Sequence, residues 1–170
     1  MGQFLRVACI AAVCAAMLSA CNTSGCQDNG SAIPLAGFYS SSTAREISLD
    51  SLAIFGLGAP ADSALVRPGA AISEVYLPMR AGEDRTVWKF EYKQRALDHP
   101  ANYDTITLAY ESIPYFASVD CGAMYAYRLR SVAHTTHLID SITVTDSLIT
   151  NTDVRRLLIY FRTSGEGESR

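Results

Sequence analysis

The chain is poor in the features by which helices, nucleic-acid surfaces and active sites are usually recognised. It holds three histidines and one tryptophan in 170 residues, and its 14 basic residues are outnumbered by 17 acidic ones. No lysine or arginine cluster stands anywhere, which argues against nucleic acid as a partner. No Gly-x-Ser-x-Gly elbow is present, no internal repeat shows at solenoid or propeller periods, and no ten residues follow a convincing helical period. There is a single long apolar run, from Val7 to Leu18. About a dozen residues are too few for a spanning helix, which needs roughly 20.

That run follows Arg6 and precedes the small residues Ser19 and Ala20, the three-part layout of a secretory signal peptide over residues 1–20. The stretch Leu18-Ser19-Ala20-Cys21 resembles the lipobox of bacterial lipoproteins, in which the cysteine is lipidated and becomes the mature N-terminus. The alternative is an ordinary signal peptide followed by a chance cysteine. Lipidation at Cys21 implies a permanent membrane anchor, because two or more acyl chains hold stably where one does not. Removal of Arg6 with the leader takes the formal charge from −3 to −4. Of the five cysteines, Cys9 and Cys14 leave with the leader and Cys21 is spent on lipid, so Cys26 and Cys121 remain. In an oxidising periplasm such a pair is most simply a disulfide, with two buried free thiols as the alternative.

The mature chain suits one domain with one core. Residues 21–31 read as the lipidated end and a polar tether, 32–163 as the domain, and 164–170 as a glycine-rich polar tail. Inside the domain the hydrophobic period is two. Trp88, Phe90 and Tyr92 share one face of a strand over 86–93; Ile106, Leu108 and Tyr110 do so over 103–111, and Tyr125, Tyr127 and Leu129 over 124–130. Further strands are expected at 35–39, 52–57, 74–78, 139–145 and 157–162. Seven or eight short strands need two layers, so the fold class expected is all-β, an antiparallel sandwich of immunoglobulin-like type, with a small barrel as runner-up. Pro114 points to an edge or corner, and Asp120-Cys121-Gly122 to a bulge or sharp bend.

Taken in order, Ser51-Leu-Ala-Ile-Phe-Gly-Leu-Gly58, Glu74-Val-Tyr-Leu-Pro-Met79, Tyr103-Asp-Thr-Ile-Thr-Leu-Ala-Tyr110, Asp120-Cys-Gly122 and Leu138-Ile-Asp-Ser-Ile142 resemble a Bacteroidetes lipoprotein family known only as domain of unknown function 6452. The likeness runs from about Cys26 to Phe161. It implies a fold and a compartment, and two cysteines at the positions of Cys26 and Cys121 suit that family. It implies no activity.

Each candidate site has a plain structural reading beside it. His134 and His137 lie three apart, so on a strand they point to opposite faces and cannot share an ion without a turn. They read as turn histidines, and no metal or cofactor is expected. Glu83, Asp84 and Asp98 fall in turn-like segments, so as a carboxylate pair for glycoside hydrolysis they carry little weight. The aromatics, including nine tyrosines, suit either a partner surface or a sandwich core. Their inward register favours core, with Tyr76, Tyr115 and Tyr160 the candidates for exposure.

The functional expectation is a non-catalytic envelope lipoprotein that binds or helps assemble another envelope component, an outer-membrane barrel first. It is expected on the periplasmic face of the outer membrane, with the cell surface as the alternative. A glycan- or nutrient-binding lipoprotein is the second reading and a hydrolase using His99, His134 or His137 the third. Five of the ten aspartates begin Asp, hydroxyl residue, aliphatic or small residue, at Asp50, Asp62, Asp104, Asp140 and Asp146. The tripeptide resembles the acceptor of periplasmic O-glycosylation in Bacteroidetes, which makes Ser51, Ser63, Thr105, Ser141 and Ser147 candidates. The competing reading is turn chemistry before a strand, with three of the five at a strand start.

Overall fold

The computed structural model describes residues 32–58, 64–118 and 121–163. Ten strands form in chain order: β1 (Leu35–Ser40), β2 (Leu52–Gly56), β3 (Ala64–Val66), β4 (Glu74–Tyr76), β5 (Arg85–Tyr92), β6 (Asp104–Ser118), β7 (Gly122–His134), β8 (Ile139–Val144), β9 (Leu148–Ile149) and β10 (Arg155–Phe161). A short 3-10 turn at Pro100–Asn102 is capped by the His99 side chain, which accepts from the Ala101 N–H. No α-helix occurs among the described residues.

The strands form two sheets that do not close into a barrel, one ordered β4-β1-β10-β8 and the other β3-β2-β5-β6-β7-β9. This is the expected all-β sandwich. It departs from a purely antiparallel one, because β1 and β10 run parallel. Among the described residues it also has ten strands, since β3 and β9 add to the expected eight.

Alternation decides what lies between the layers. Phe38, Leu157, Ile159 and Phe161 of the smaller sheet are buried against Ile54, Phe90, Tyr92, Ile106 and Leu108 of the larger. The two sheets meet where the rings of Tyr92 and Phe161 pack edge to face, their centroids 6.4 Å apart. Each such buried aliphatic or phenyl side chain is worth about 1.5–3 kcal/mol relative to exposure.

The β6–β7 hairpin is longer than the sandwich it belongs to. β5 pairs with β6 only from Asp104 to Ala109, and β9 pairs with β7 only at Tyr127 and Arg128. Beyond those registers β6 and β7 pair, among the described residues, only with each other, as a two-stranded ribbon. Pro114 sits there, where β6 has no second neighbour and the missing N–H costs no ladder bond, as an edge position predicts. The ribbon ends in the turn between Ser118 and Gly122, and Gly122 has the left-handed φ of 69°. The sharp bend expected around Cys121 is therefore this hairpin turn.

Candidate functional site

Three features stand out above the packed core: a buried carboxylate, a cavity beside the sheet edge, and the ribbon. Asp104 opens β6 on the same parity as Ile106, Leu108 and Tyr110, so its side chain is carried inward and is fully buried. It accepts five hydrogen bonds. The donors are the Tyr92 hydroxyl at 2.9 Å, the Thr135 hydroxyl at 2.7 Å, and the backbone N–H groups of His137, Leu138 and Ile139 at 2.8, 2.8 and 2.9 Å. Burial, followed by the Asp104 charge, holds the Tyr92 phenol well above the usual tyrosine range. Asp104 thereby fixes the turn from β7 into β8, a structural role.

The same node decides the histidines. The His137 backbone is tied to Asp104 and its side chain is exposed, while His134 Nδ1 lies 2.8 Å from the Thr135 carbonyl. No group of three His, Cys, Asp or Glu able to hold a metal occurs among the described residues. Among the described residues, no hydroxyl, thiol or carboxylate bonds to the rings of His99, His134 or His137. Glu83 and Asp84 lie in the exposed β4–β5 loop, and Asp98 pairs with Lys93.

The cavity, of about 340 Å³, is lined by Gly56 of β2, Ala64 and Leu65 of β3, Pro78, Met79 and Arg80 after β4, and Thr86 and Trp88 of β5. Its wall is held by Tyr110, whose hydroxyl accepts from the Arg80 N–H at 2.9 Å and donates to the Arg80 carbonyl at 3.1 Å. The same oxygen lies 2.7 Å from the Thr86 hydroxyl. One buried phenol thus fixes the backbone from which the Arg80 side chain extends.

On the ribbon, the inner face of the larger sheet continues outward through the pairs Tyr110–Leu129, Ser112–Tyr127, Pro114–Tyr125 and Phe116–Ala123. Tyr110, Leu129 and Tyr127 are buried; Tyr125 is 40% and Phe116 70% exposed. Tyr125 was expected in the core, and that expectation is corrected here. Its register is inward, but on the ribbon that face is left exposed. From Ser112 to Tyr127 the sequence contains one charged side chain, Asp120. Of the tyrosines expected outside, Tyr76 is exposed while Tyr115 and Tyr160 are half-buried.

Cys21, Cys26 and Ser63 lie outside the described residues. Cys121 stands at the ribbon's turn, its N–H donating to Ser118 Oγ at 3.0 Å. The tripeptide hydroxyls are scattered. Ser51, with a φ of 51°, is half-buried before β2; Thr105 is half-buried within β6; Ser141 on edge strand β8 and Ser147 before β9 are exposed. Structure accounts for the four described aspartates: Asp104 as above, Asp50 with Gln94, Asp140 with Arg162, and Asp146 with the Leu148 N–H and Arg156. Of these four, all but Asp140 stand at a strand start.

The fold and its ribbon define an all-β sandwich domain with one hairpin extending past the layers. The chain belongs to a family of unknown function, DUF6452, whose profile matches residues 51–161, more than half of the chain. No curated protein and no solved structure matches it.

Proposed function

We propose that this is a non-catalytic lipoprotein of the bacterial cell envelope, held by lipid on Cys21 at the periplasmic face of the outer membrane, which binds a membrane-embedded protein there through its ribbon. The observation that carries the reading is the uncovered continuation of the core face at Pro114, Phe116, Ala123 and Tyr125. Aromatic residues in such a patch are what protein partners bury.

The partner's location follows from chain length. With Cys26 bridged to Cys121, five residues connect the lipid to the end of the ribbon. Extended, they reach at most about 18 Å, less than the roughly 30 Å hydrocarbon core of a bilayer. A ribbon so tethered stays beside the membrane, and its partner must be there too. A sugar suits the patch less well, because Pro114 and Ala123 bring no side-chain hydrogen-bonding group beside the rings. Sugar carried on the chain itself belongs on exposed Ser141 or Ser147 in preference to Ser51 or Thr105.

A photo-crosslinking side chain at position 116, activated in intact cells and followed by mass spectrometry, tests the reading. One recurrent outer-membrane protein is the expected adduct. Recovery of the monomer alone, or of phospholipid adducts alone, would overturn it.

A further inference from the structure

The cavity at the edge of the larger sheet has one charged donor, the Arg80 guanidinium, that the described residues satisfy only in part, and beside it the ring of a tryptophan. Trp88 is 6% exposed and lines the cavity. Arg80 lines the same cavity. Its guanidinium makes one hydrogen bond, to the Leu57 carbonyl at 3.2 Å, and no ion pair among the described residues. Arg155, by contrast, is clamped by Glu46 and Glu74, and Arg156 by Asp146.

The remaining lining is apolar, from Ala64, Leu65, Pro78 and Met79, with Leu65 38% exposed at the surface. Two glycines shape the approach. A Cβ on Gly56 would lie 3.0 Å from the Trp88 ring, and one on Gly58 would lie 3.7 Å from the Arg80 guanidinium. The volume falls at the low end of the range for small-molecule sites, roughly 300–1,000 Å³.

We propose that this cavity binds a small carboxylate with an apolar body: the carboxylate is received by the Arg80 guanidinium, and the apolar part by Leu65, Met79 and the Trp88 ring. A planar guanidinium is the preferred receptor for a carboxylate, and charge-assisted bonds of this kind are the strong ones. The wall needs little reorganisation, because the Tyr110 hydroxyl fixes the Arg80 backbone on both its donor and its acceptor side. The site is separate from the ribbon and holds whether or not the ribbon has a partner.

Trp88 is the only tryptophan in the sequence, so one indole N–H resonance and one emission band report on this cavity alone. The probes are hexanoate and phenylacetate, each paired with its neutral amide, added to the ¹⁵N-labelled chain. The expected result is a saturable shift of the indole resonance by the acids, with dissociation constants below about 10 mM and weaker binding of the amides. Arg80→Gln should weaken the acids by about tenfold to a hundredfold, and Arg80→Lys should restore part of the loss. These variants keep the fold, since it is the backbone of Arg80, not its side chain, that Tyr110 holds. Unchanged folding is confirmed by the dispersion of the other amide resonances. No saturable shift with either acid, equal binding of acid and amide, or an unaffected Arg80→Gln variant would each overturn the proposal.

Discussion

Replacing Asp104 by asparagine, which keeps shape and removes one acceptor, is the sharpest perturbation the structure offers. One carboxylate oxygen receives Thr135 and His137, and the other receives Tyr92, Leu138 and Ile139. An asparagine amide must point its NH₂ at one of these two sets. Turned toward the first, it can be accepted by the Thr135 hydroxyl, but the His137 N–H faces a donor. Turned toward the second, it leaves both the Leu138 and Ile139 N–H groups unmatched. At least one buried backbone N–H is therefore stranded, at about 1–3 kcal/mol, and the remaining bonds lose their charge assistance, while relief from burying a charge offsets part of this. We expect Asp104→Asn to cost about 3 kcal/mol and Asp104→Ala, which strands three backbone donors, about 5 kcal/mol. Against a domain stability of about 5–15 kcal/mol, the alanine variant sits near the unfolding threshold. Urea unfolding with the slope held common to the variants measures both. An asparagine variant within about 1 kcal/mol of the parent would refute the claim that five donors converge on this carboxylate.

Alkaline pH tests the same node from the other side. The folded state raises the Tyr92 phenol, so above about pH 10 the unfolded chain has released a proton that the folded chain keeps. The stabilising contribution is intact below that pH and is lost as pH rises beyond it; unfolding midpoints at about pH 9 and about pH 11 should differ more for the parent than for Tyr92→Phe. Identical alkaline losses would contradict the argument. Phe116→Ala should change stability by less than about 0.5 kcal/mol, since the ring is 70% exposed, whereas Phe90→Ala in the core should cost about 3–5 kcal/mol. A large loss at Phe116 would mean that the chain itself covers the ribbon face. A non-reducing digest of protein made in an oxidising compartment is expected to join Cys26 to Cys121, and two free thiols in the peptide map would remove the tether on which the membrane position of the ribbon rests. Intact-mass measurement of protein from its native host is expected to find sugar on Ser141 or Ser147, and a lipid-modified polypeptide mass alone would end that proposal.

The sandwich is legible wherever a strand is long and covered on one face. Thr86, Trp88, Phe90 and Tyr92 alternate with half-buried residues as their spacing predicts, and β6 does the same as far as Tyr110. β3 and β9 escape because three and two residues hold no measurable period. The parallel pairing of β1 with β10 escapes for another reason: it joins segments more than a hundred residues apart, and neither segment names its neighbour. Tyr125 marks the limit of alternation itself. Period two assigns a side chain to a face, and whether that face is covered is not written in the alternation.

The structural role of Asp104 is legible in the residues that follow it. Asp104 falls on the inward parity of Ile106, Leu108 and Tyr110, and a carboxylate carried inward must be met by donors, because an ionised group left unmatched in the interior is too costly to persist. Parity alone thus calls for a set of donors around Asp104, although it cannot name Tyr92, Thr135 and the turn before β8 as their source. The tripeptide pattern conceals this, because Asp50, Asp140 and Asp146 satisfy it from exposed positions with local or ion-pair partners. One short motif therefore collects two kinds of aspartate, separated only by whether the strand that follows turns them toward the core. The cavity lies beyond any such local rule. Arg80 and Trp88 come from opposite ends of a loop, and their common wall depends on the Tyr110 hydroxyl, 30 residues away from Arg80. Phenol and guanidinium are unremarkable as residue types, and only the register of β5 with β6, which sets Thr86 opposite Leu108 and brings Tyr110 beside the loop, makes them one site.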